Sequence, residues 1–108
     1  MPLQDFMSPS ETIRFSAPNL VMHANQYYNL HITNDKLILH NTRGLIFKKD
    51  DIIAHRLEDI LTMQYNEKGI ISKRGLLEIH MKDKKLPIEG HPTSMKAVWQ
   101  ELQKYISV

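Results

Sequence analysis

Cysteine is absent from the 108 residues. Disulfides, thiolate nucleophiles and cysteine-type zinc sites are excluded together, and the lack fits a reducing compartment. Glycine is scarce, with four residues, and they form neither a glycine-rich phosphate loop nor a dinucleotide fingerprint. No Gly-x-Ser-x-Gly elbow occurs either. Long hydrophobic runs are missing, so no membrane span is expected. Met1-Pro-Leu-Gln-Asp5 has no basic region leading into an apolar run, so no signal peptide is expected. A strong charge of one sign is lacking too. Fourteen Lys and Arg stand against 12 acids, a net charge of +2. Nucleic-acid binders need a larger, clustered cation excess to neutralise phosphates, so nucleic acid is not an expected partner.

What is present describes one ordinary globular domain. The hydrophobic share is 42% and the charged share 24%, and the length leaves room for a single core. Residues 1–10, with Pro2, Ser8, Pro9 and Ser10, read as a loose leader in which Phe6 and Met7 are apolar. The domain is expected over 11–108, in the cytoplasm, with a peripheral position at the inner membrane face as the alternative.

From Glu11 onward, short runs rich in Ile, Leu, Tyr, Phe and Thr are broken by Asn, Asp and Gly, the pattern of a strand meander. The clearest element is a hairpin, Tyr27–Thr33 and Lys36–Asn41, around Asn34-Asp35. Both turn residues tolerate positive φ. A two-residue turn sets Thr33 opposite Lys36, Ile32 opposite Leu37 and Leu30 opposite Leu39. One face is then Tyr28, Leu30, Ile32, Leu37 and Leu39, and the other is Asn29, His31, Thr33, Lys36, Ile38 and His40. Upstream, Thr12–Ser16 and Asn19–His23 read as one strand bent at Ala17-Pro18, joined to the hairpin by Ala24-Asn25-Gln26. Downstream come a turn at Gly44, Leu45-Ile46-Phe47, the polar cluster Lys48–Asp51, and strands at Ile52–Leu57, Ile60–Tyr65, Leu76–Met81 and Leu86–Ile88. Asn66–Gly75 reads as a mobile loop.

The last segment changes period. Met95, Val98, Trp99, Leu102 and Ile106 recur at helical spacing from Ser94 onward, with Lys96, Gln100, Glu101, Gln103 and Lys104 on the other side. Thr93 or Ser94 is the expected cap and Trp99 the expected core anchor. The fold class is therefore mainly β (α+β): a seven-stranded curled antiparallel sheet, or partly open barrel, capped by one C-terminal amphipathic helix. The absence of βαβ alternation excludes a doubly wound sheet.

This order resembles the pleckstrin-homology-like superfold over residues 11–106. Leu30-His-Ile-Thr-Asn-Asp-Lys-Leu-Ile-Leu39 is similar to a hairpin of GRAM and bacterial or archaeal PH-like domains. Arg56-Leu-Glu-Asp-Ile60 resembles the step after their fourth strand, and Ala17-Pro18-Asn19-Leu20 their opening strand. The resemblance implies a binding module, without naming a ligand. It also implies where a phosphoinositide would bind, through basic residues on the first two strands and their loop. The matching stretch here, Met22–Tyr28, has no Lys or Arg.

Six histidines raise the question of a metal. His31 and His40 share a hairpin face, but no ligand-spaced motif joins them to a third group, so no metal and no cofactor are expected. The paired acids Asp50-Asp51 and Glu58-Asp59 diverge in a strand or turn and suit turns and caps better than catalysis. Cations gather at Arg43 with Lys48-Lys49, at Lys68 with Lys73-Arg74, and at Lys82-Lys84-Lys85. The middle group flanks Ile70-Ile71, making Lys68, Ile70, Ile71, Lys73 and Arg74 the candidate binding loop. The leading reading is a non-catalytic adaptor for a protein, a peptide or its own copies. The alternatives are peripheral binding to anionic membrane lipid at that loop and, last, a small enzyme.

Overall fold

The structure is a computed structural model that describes residues 8–43, 49–69, 71 and 73–106. The elements run β1 (Ile13–Ser16), β2 (Val21–His23), β3 (Gln26–Thr33), β4 (Lys36–Arg43), β5 (Lys49–Arg56), a one-turn 3-10 helix (Leu57–Asp59), β6 (Ile60–Lys68), β7 (Arg74–Met81), β8 (Lys85–Gly90) and α1 (Pro92–Gln103). The strand order is β5-β4-β3-β2-β8-β7-β6, antiparallel throughout, with β1 also on β3. The sheet curls but does not close: among the described residues β5 pairs only with β4, and β6 only with β7.

Eight strands replace the expected seven because the bent first strand is counted twice. β2 pairs with the first half of β3 and β1 with the second half. Between them the Ala17 N–H still reaches the Leu30 carbonyl at 2.9 Å. Pro18 has no N–H to continue the ladder, and the strand breaks there.

The β3–β4 register is the expected one, with Ile32 opposite Leu37 and Leu30 opposite Leu39. The turn chemistry is different. Neither Asn34 nor Asp35 has positive φ; those angles belong to Ala24 (51°) and Asn25 (64°), the two-residue turn between His23 and Gln26. At Asn34-Asp35 the Thr33 hydroxyl organises the turn instead, accepting from the N–H groups of Asp35 (3.0 Å) and Lys36 (2.8 Å). Thr33 is itself tied to Glu11, a buried acid whose carboxylate accepts from the Lys36 ammonium at 2.9 Å and the Ser8 N–H at 3.0 Å. Burial alone raises the Glu11 pKa, but the bonds from Thr33, Ser8 and Lys36 outweigh it and hold the carboxyl below its ordinary range. Asn34 is clasped from the same side: its side-chain oxygen accepts from the Thr12 N–H, and its own N–H donates to the Thr12 carbonyl.

The predicted inner face is the core. Leu30, Ile32, Leu37 and Leu39 are fully buried with Leu77, Ile79 and Ile88 of the second half of the sheet, under Met95, Val98 and Leu102 of α1. The opposite face is not uniformly solvated as expected. Ile38 and Thr33 are fully buried there. His31, opposite Ile38 and bonded to the Ser16 hydroxyl at 2.7 Å, is half-buried, and burial, then His40, pushes its pKa down.

Several boundaries shift. β5 begins inside the polar cluster, so Asp50 and Asp51 are strand residues opposite Thr42 and Asn41 rather than turn residues. Leu45-Ile46-Phe47 lies outside the described residues. The segment expected to loop from Asn66 to Gly75 is mostly hairpin, with Glu67 opposite Gly75 and Lys68 opposite Arg74. Gly75 is there for packing rather than turning. It pairs with Gly90 on β8, and a Cβ at Gly75 would stand 2.9 Å from Met95 Cβ. This glycine pair lets the first turn of α1 lie against the sheet. The helix starts at Pro92, and its cap is His91, whose Nδ1 accepts from the Thr93 N–H at 3.3 Å. Ser94 is buried instead, and Trp99 is a half-buried flank of the core stacked on Tyr65 with ring centroids 6.2 Å apart.

Candidate functional site

The candidate loop is the tip of the β6–β7 hairpin. Gly69, at φ 108°, opens the turn with a backbone angle that side-chain-bearing residues rarely adopt. Ile71 is completely exposed at the tip. Lys68 and Lys73 are exposed as well, while Ile70 lies outside the described residues. The cations there are partly neutralised. Arg74 donates to Glu89 at 2.7 Å across the β7–β8 pair. Glu67, on the neighbouring position, meets Lys96 of α1 at 3.0 Å. Its carboxyl is lowered by the Lys96 hydrogen bond first, then by the Tyr65 hydroxyl and the charges of Lys96 and Lys73. The tip therefore brings Lys68, Ile71 and Lys73 together, and turns Arg74 toward a carboxylate on the sheet.

A second feature lies at the corner where the chain leaves β5 for β6. The 3-10 turn swings the two edge strands apart, and a β-bulge between Ile60 and Thr62 bends β6 further. The result is an open cleft of about 750 Å³, lined by His55 from β5, Glu58 and Asp59 from the 3-10 turn, Leu61 from β6, Met81 from β7, and Lys82, Asp83 and Lys84 from the β7–β8 turn. Its apolar surface is Leu61, which is 61% exposed, beside the buried Met81. Its rim mixes both charges. Glu58 is engaged by Arg56 at 3.1 Å. His55 lies on the inner side of β5, opposite Leu37. Its pKa is pushed down by burial first and then by the Lys84 charge, with Asp59 opposing. At neutral pH the imidazole is uncharged, a donor and acceptor rather than a cation.

In the sequence Lys82 and Lys84 belong to one cation group and His55 lies on a different strand segment. Local spacing carries no signal that joins them. They meet because the curl of the sheet brings the β7–β8 turn back under β5. Among the described residues no three His, Asp or Glu side chains form a group able to hold a metal ion.

The stretch where a phosphoinositide site would be expected forms a tight turn in the structure. Ala24 and Asn25 span only two residues, and His23 Nδ1–H donates to the Pro87 carbonyl at 2.8 Å. The bond falls where Pro87 interrupts the β8 donors and the ladder from β2, paired at Met22 and Glu89, has ended.

No protein-family model matches the chain, and no curated protein matches it. Solved structures do. A pleckstrin homology domain from Shewanella amazonensis SB2B superposes with a TM-score of 0.70 at 15% identity, covering 96% of this chain and 91% of that one. The fold is pleckstrin-homology-like. A DUF1696-family protein with a pleckstrin-homology domain, from Shewanella loihica PV-4, gives a TM-score of 0.66 at 16% identity over 97% of this chain and 87% of its own. At 96% coverage the match takes in both halves of the curled sheet and the closing helix. At these identities the likeness concerns the fold. Side chains have to be judged in this chain. Among the described residues no helix of the PH-like domain is long and apolar enough to cross a membrane.

Proposed function

We propose that this PH-like domain is a non-catalytic binding module that takes an extended segment of a protein or peptide at the β5–β6 corner and along the open edge beside it. The observation that supports this reading is the unclosed sheet. Two edges that take no further strand among the described residues flank a cleft with an apolar floor and a rim of both charges. An added strand takes its affinity from main-chain hydrogen bonds and its specificity from the cleft, where Leu61 offers an apolar contact and Lys82, Asp83 and Lys84 offer polar ones. The rim argues for a peptide over an anionic headgroup. Glu58, Asp59 and Asp83 offset Lys82 and Lys84, and His55 is uncharged at neutral pH.

Selecting a random-sequence peptide library against the immobilised protein, then mapping binders by amide chemical shifts, tests the reading. Enriched peptides that move His55, Leu61 and Lys82 support it. A library that yields no binder, or binders that map to the helix surface alone, counts against it.

A second reading is peripheral binding to anionic membrane, favoured by the full exposure of Ile71 between Lys68 and Lys73. A few surface cations contribute about 1 kcal/mol each near an anionic surface, and Arg74 is already engaged by Glu89. Sedimentation with anionic vesicles, lost at raised salt and on Lys73→Glu, is its expected signature.

A further inference from the structure

Around the corner cleft the chain leaves several charges unmatched. Glu58 is held by Arg56 at 3.1 Å. Asp59, Lys82, Asp83 and Lys84 are exposed and form no ion pair among the described residues. Two acids and two bases cancel in number, but not at every point of the rim. Of the charges acting on the His55 imidazole, Lys84 is the strongest, Asp59 opposes it, and His23 adds to Lys84. The field at His55 is therefore that of a cation, and an anion beside it is attracted.

His55 also differs from its fellow histidines. His23 bonds the Pro87 carbonyl at 2.8 Å, His31 the Ser16 hydroxyl at 2.7 Å and His80 the Glu78 carboxylate at 2.9 Å, and His91 caps α1. The His55 ring, half-buried on the cleft wall, has no hydrogen-bond partner among the described residues. Burial first and then Lys84 keep it uncharged at neutral pH, so it presents one N–H and one bare nitrogen.

An N–H and an ammonium on one cleft wall suit an acceptor oxygen of a ligand anion. Asp59 and Asp83 on the same rim limit how much charge that ligand carries. A single negative charge is drawn to Lys84 and His55, whereas the second charge of a phosphate dianion meets the two acids. Beside this wall Leu61 is 61% exposed over the buried Met81, a floor for an apolar side chain.

We propose that the cleft selects an acidic residue next to an apolar one in the segment it binds. The carboxylate accepts from the His55 ring N–H and the Lys84 ammonium, and the apolar side chain covers Leu61. This rests on the reading of the corner as a peptide site and names what that site selects. A carboxylate seated there reverses the field on His55 and favours its protonated form. Affinity then rises as pH falls through the His55 midpoint of the complex, until the ligand's own acid titrates. The charged groups that face His55 during this step are Glu58 and Asp59 of the 3-10 turn, Lys82, Asp83 and Lys84 of the β7–β8 turn, and His23 of β2.

Parallel selections of a random-sequence peptide library on the wild-type protein and on Lys84→Gln test it, with circular dichroism confirming that both are folded. The wild type is expected to enrich Asp or Glu beside Leu, Ile or Phe, and Lys84→Gln to keep the apolar preference and lose the acidic one. Replacing the acid of an enriched peptide by its amide weakens binding about tenfold. NMR titration of the His55 ring nitrogens shows a midpoint raised by the acid peptide and not by the amide. The same peptide made with an amidated C-terminus binds equally, which assigns the effect to a side-chain carboxylate. Binding lost on that amidation, or inorganic phosphate displacing the peptide more effectively than acetate, overturns the assignment. Peptides that map to the corner without an acidic preference, or a preference that persists in Lys84→Gln, overturn the proposal and leave the functional reading standing. A library with no corner binder removes both.

Discussion

Replacing Gly75 by alanine sets a methyl carbon 2.9 Å from Met95 Cβ, 2.9 Å from the Tyr65 hydroxyl oxygen and 3.2 Å from Met95 Cγ. Contacts between carbons are comfortable only beyond about 3.5 Å, so the helix or the sheet has to move. Overpacking of this kind costs about 1–3 kcal/mol. Alanine returns about 0.5–1 kcal/mol because it loses less backbone entropy than glycine on entering a strand. The net expectation is a loss of about 1–2 kcal/mol. Gly90 is the internal comparison, since its new methyl would meet the Met95 sulfur at 3.1 Å and Cγ at 3.4 Å, the flexible part of that side chain. Gly90→Ala should be close to neutral. A Met95→Ala background separates the two mechanisms further. It removes the sulfur and Cγ but keeps Cβ, so the Gly75→Ala cost persists there while any Gly90→Ala cost disappears. Urea unfolding read by the fluorescence of Trp99, the single tryptophan, measures all six chains at a site stacked beside the substitution. A Gly75→Ala protein as stable as the wild type, or one rescued fully by Met95→Ala, refutes the account of the helix–sheet contact.

The Thr33 hydroxyl accepts from two turn N–H groups and is tied to Glu11, so Thr33→Val should cost about 2–3 kcal/mol in chemical unfolding. Glu11 has a folded pKa below its unfolded one. Its contribution is fully present above about pH 4.5 and is lost as pH falls through the lower folded value. Glu11→Gln should flatten that part of a stability profile run from neutral to acid pH, and an unchanged profile would show that the carboxylate is not the titrating group. His31 has the same sign at higher pH. Its depressed pKa makes stability decline once pH falls below about 6.5, and His31→Gln should remove that step. His91→Ala removes the acceptor for the Thr93 N–H and should lower stability by about 1 kcal/mol, with His91→Asn retaining most of it in a thermal melt.

The parts of the fold legible in the sequence are those set by local period. Alternation through Tyr28–Thr33 and Lys36–Leu39 determined which face is buried and which residues face each other, because a one-residue slip would reverse both. The Met95–Leu102 stripe announced the helix in the same way. Features that rest on partners distant in sequence were not legible. Asn34-Asp35 looks like a positive-φ turn, yet the Thr33 hydroxyl and the clasp from Thr12 let it do without one. Gly75 looks like a loop residue until Met95, twenty positions on, is seen against it. Of the candidate loop, the cations and Ile71 could be read directly. The engagement of Arg74 by Glu89 could not, nor could the corner cleft, whose lining comes from β5, β6 and the β7–β8 turn.

The broken first strand also shapes how the chain reaches this structure. β1 to β5 form one stack and β6 to β8 another, each held by pairings between strands near in sequence, which are expected to form early and at little entropic expense. Among the described residues, strand pairing between the stacks comes down to Met22 opposite Glu89, reinforced by the His23–Pro87 bond. Closing a loop of that span costs roughly 4 kcal/mol in chain entropy. The expected order is two quickly formed meanders followed by one slower long-range docking step. Mutations at Met22 and His23 should register in the folding rate, while those in the Ala24–Asn25 turn register in the stability of a single meander.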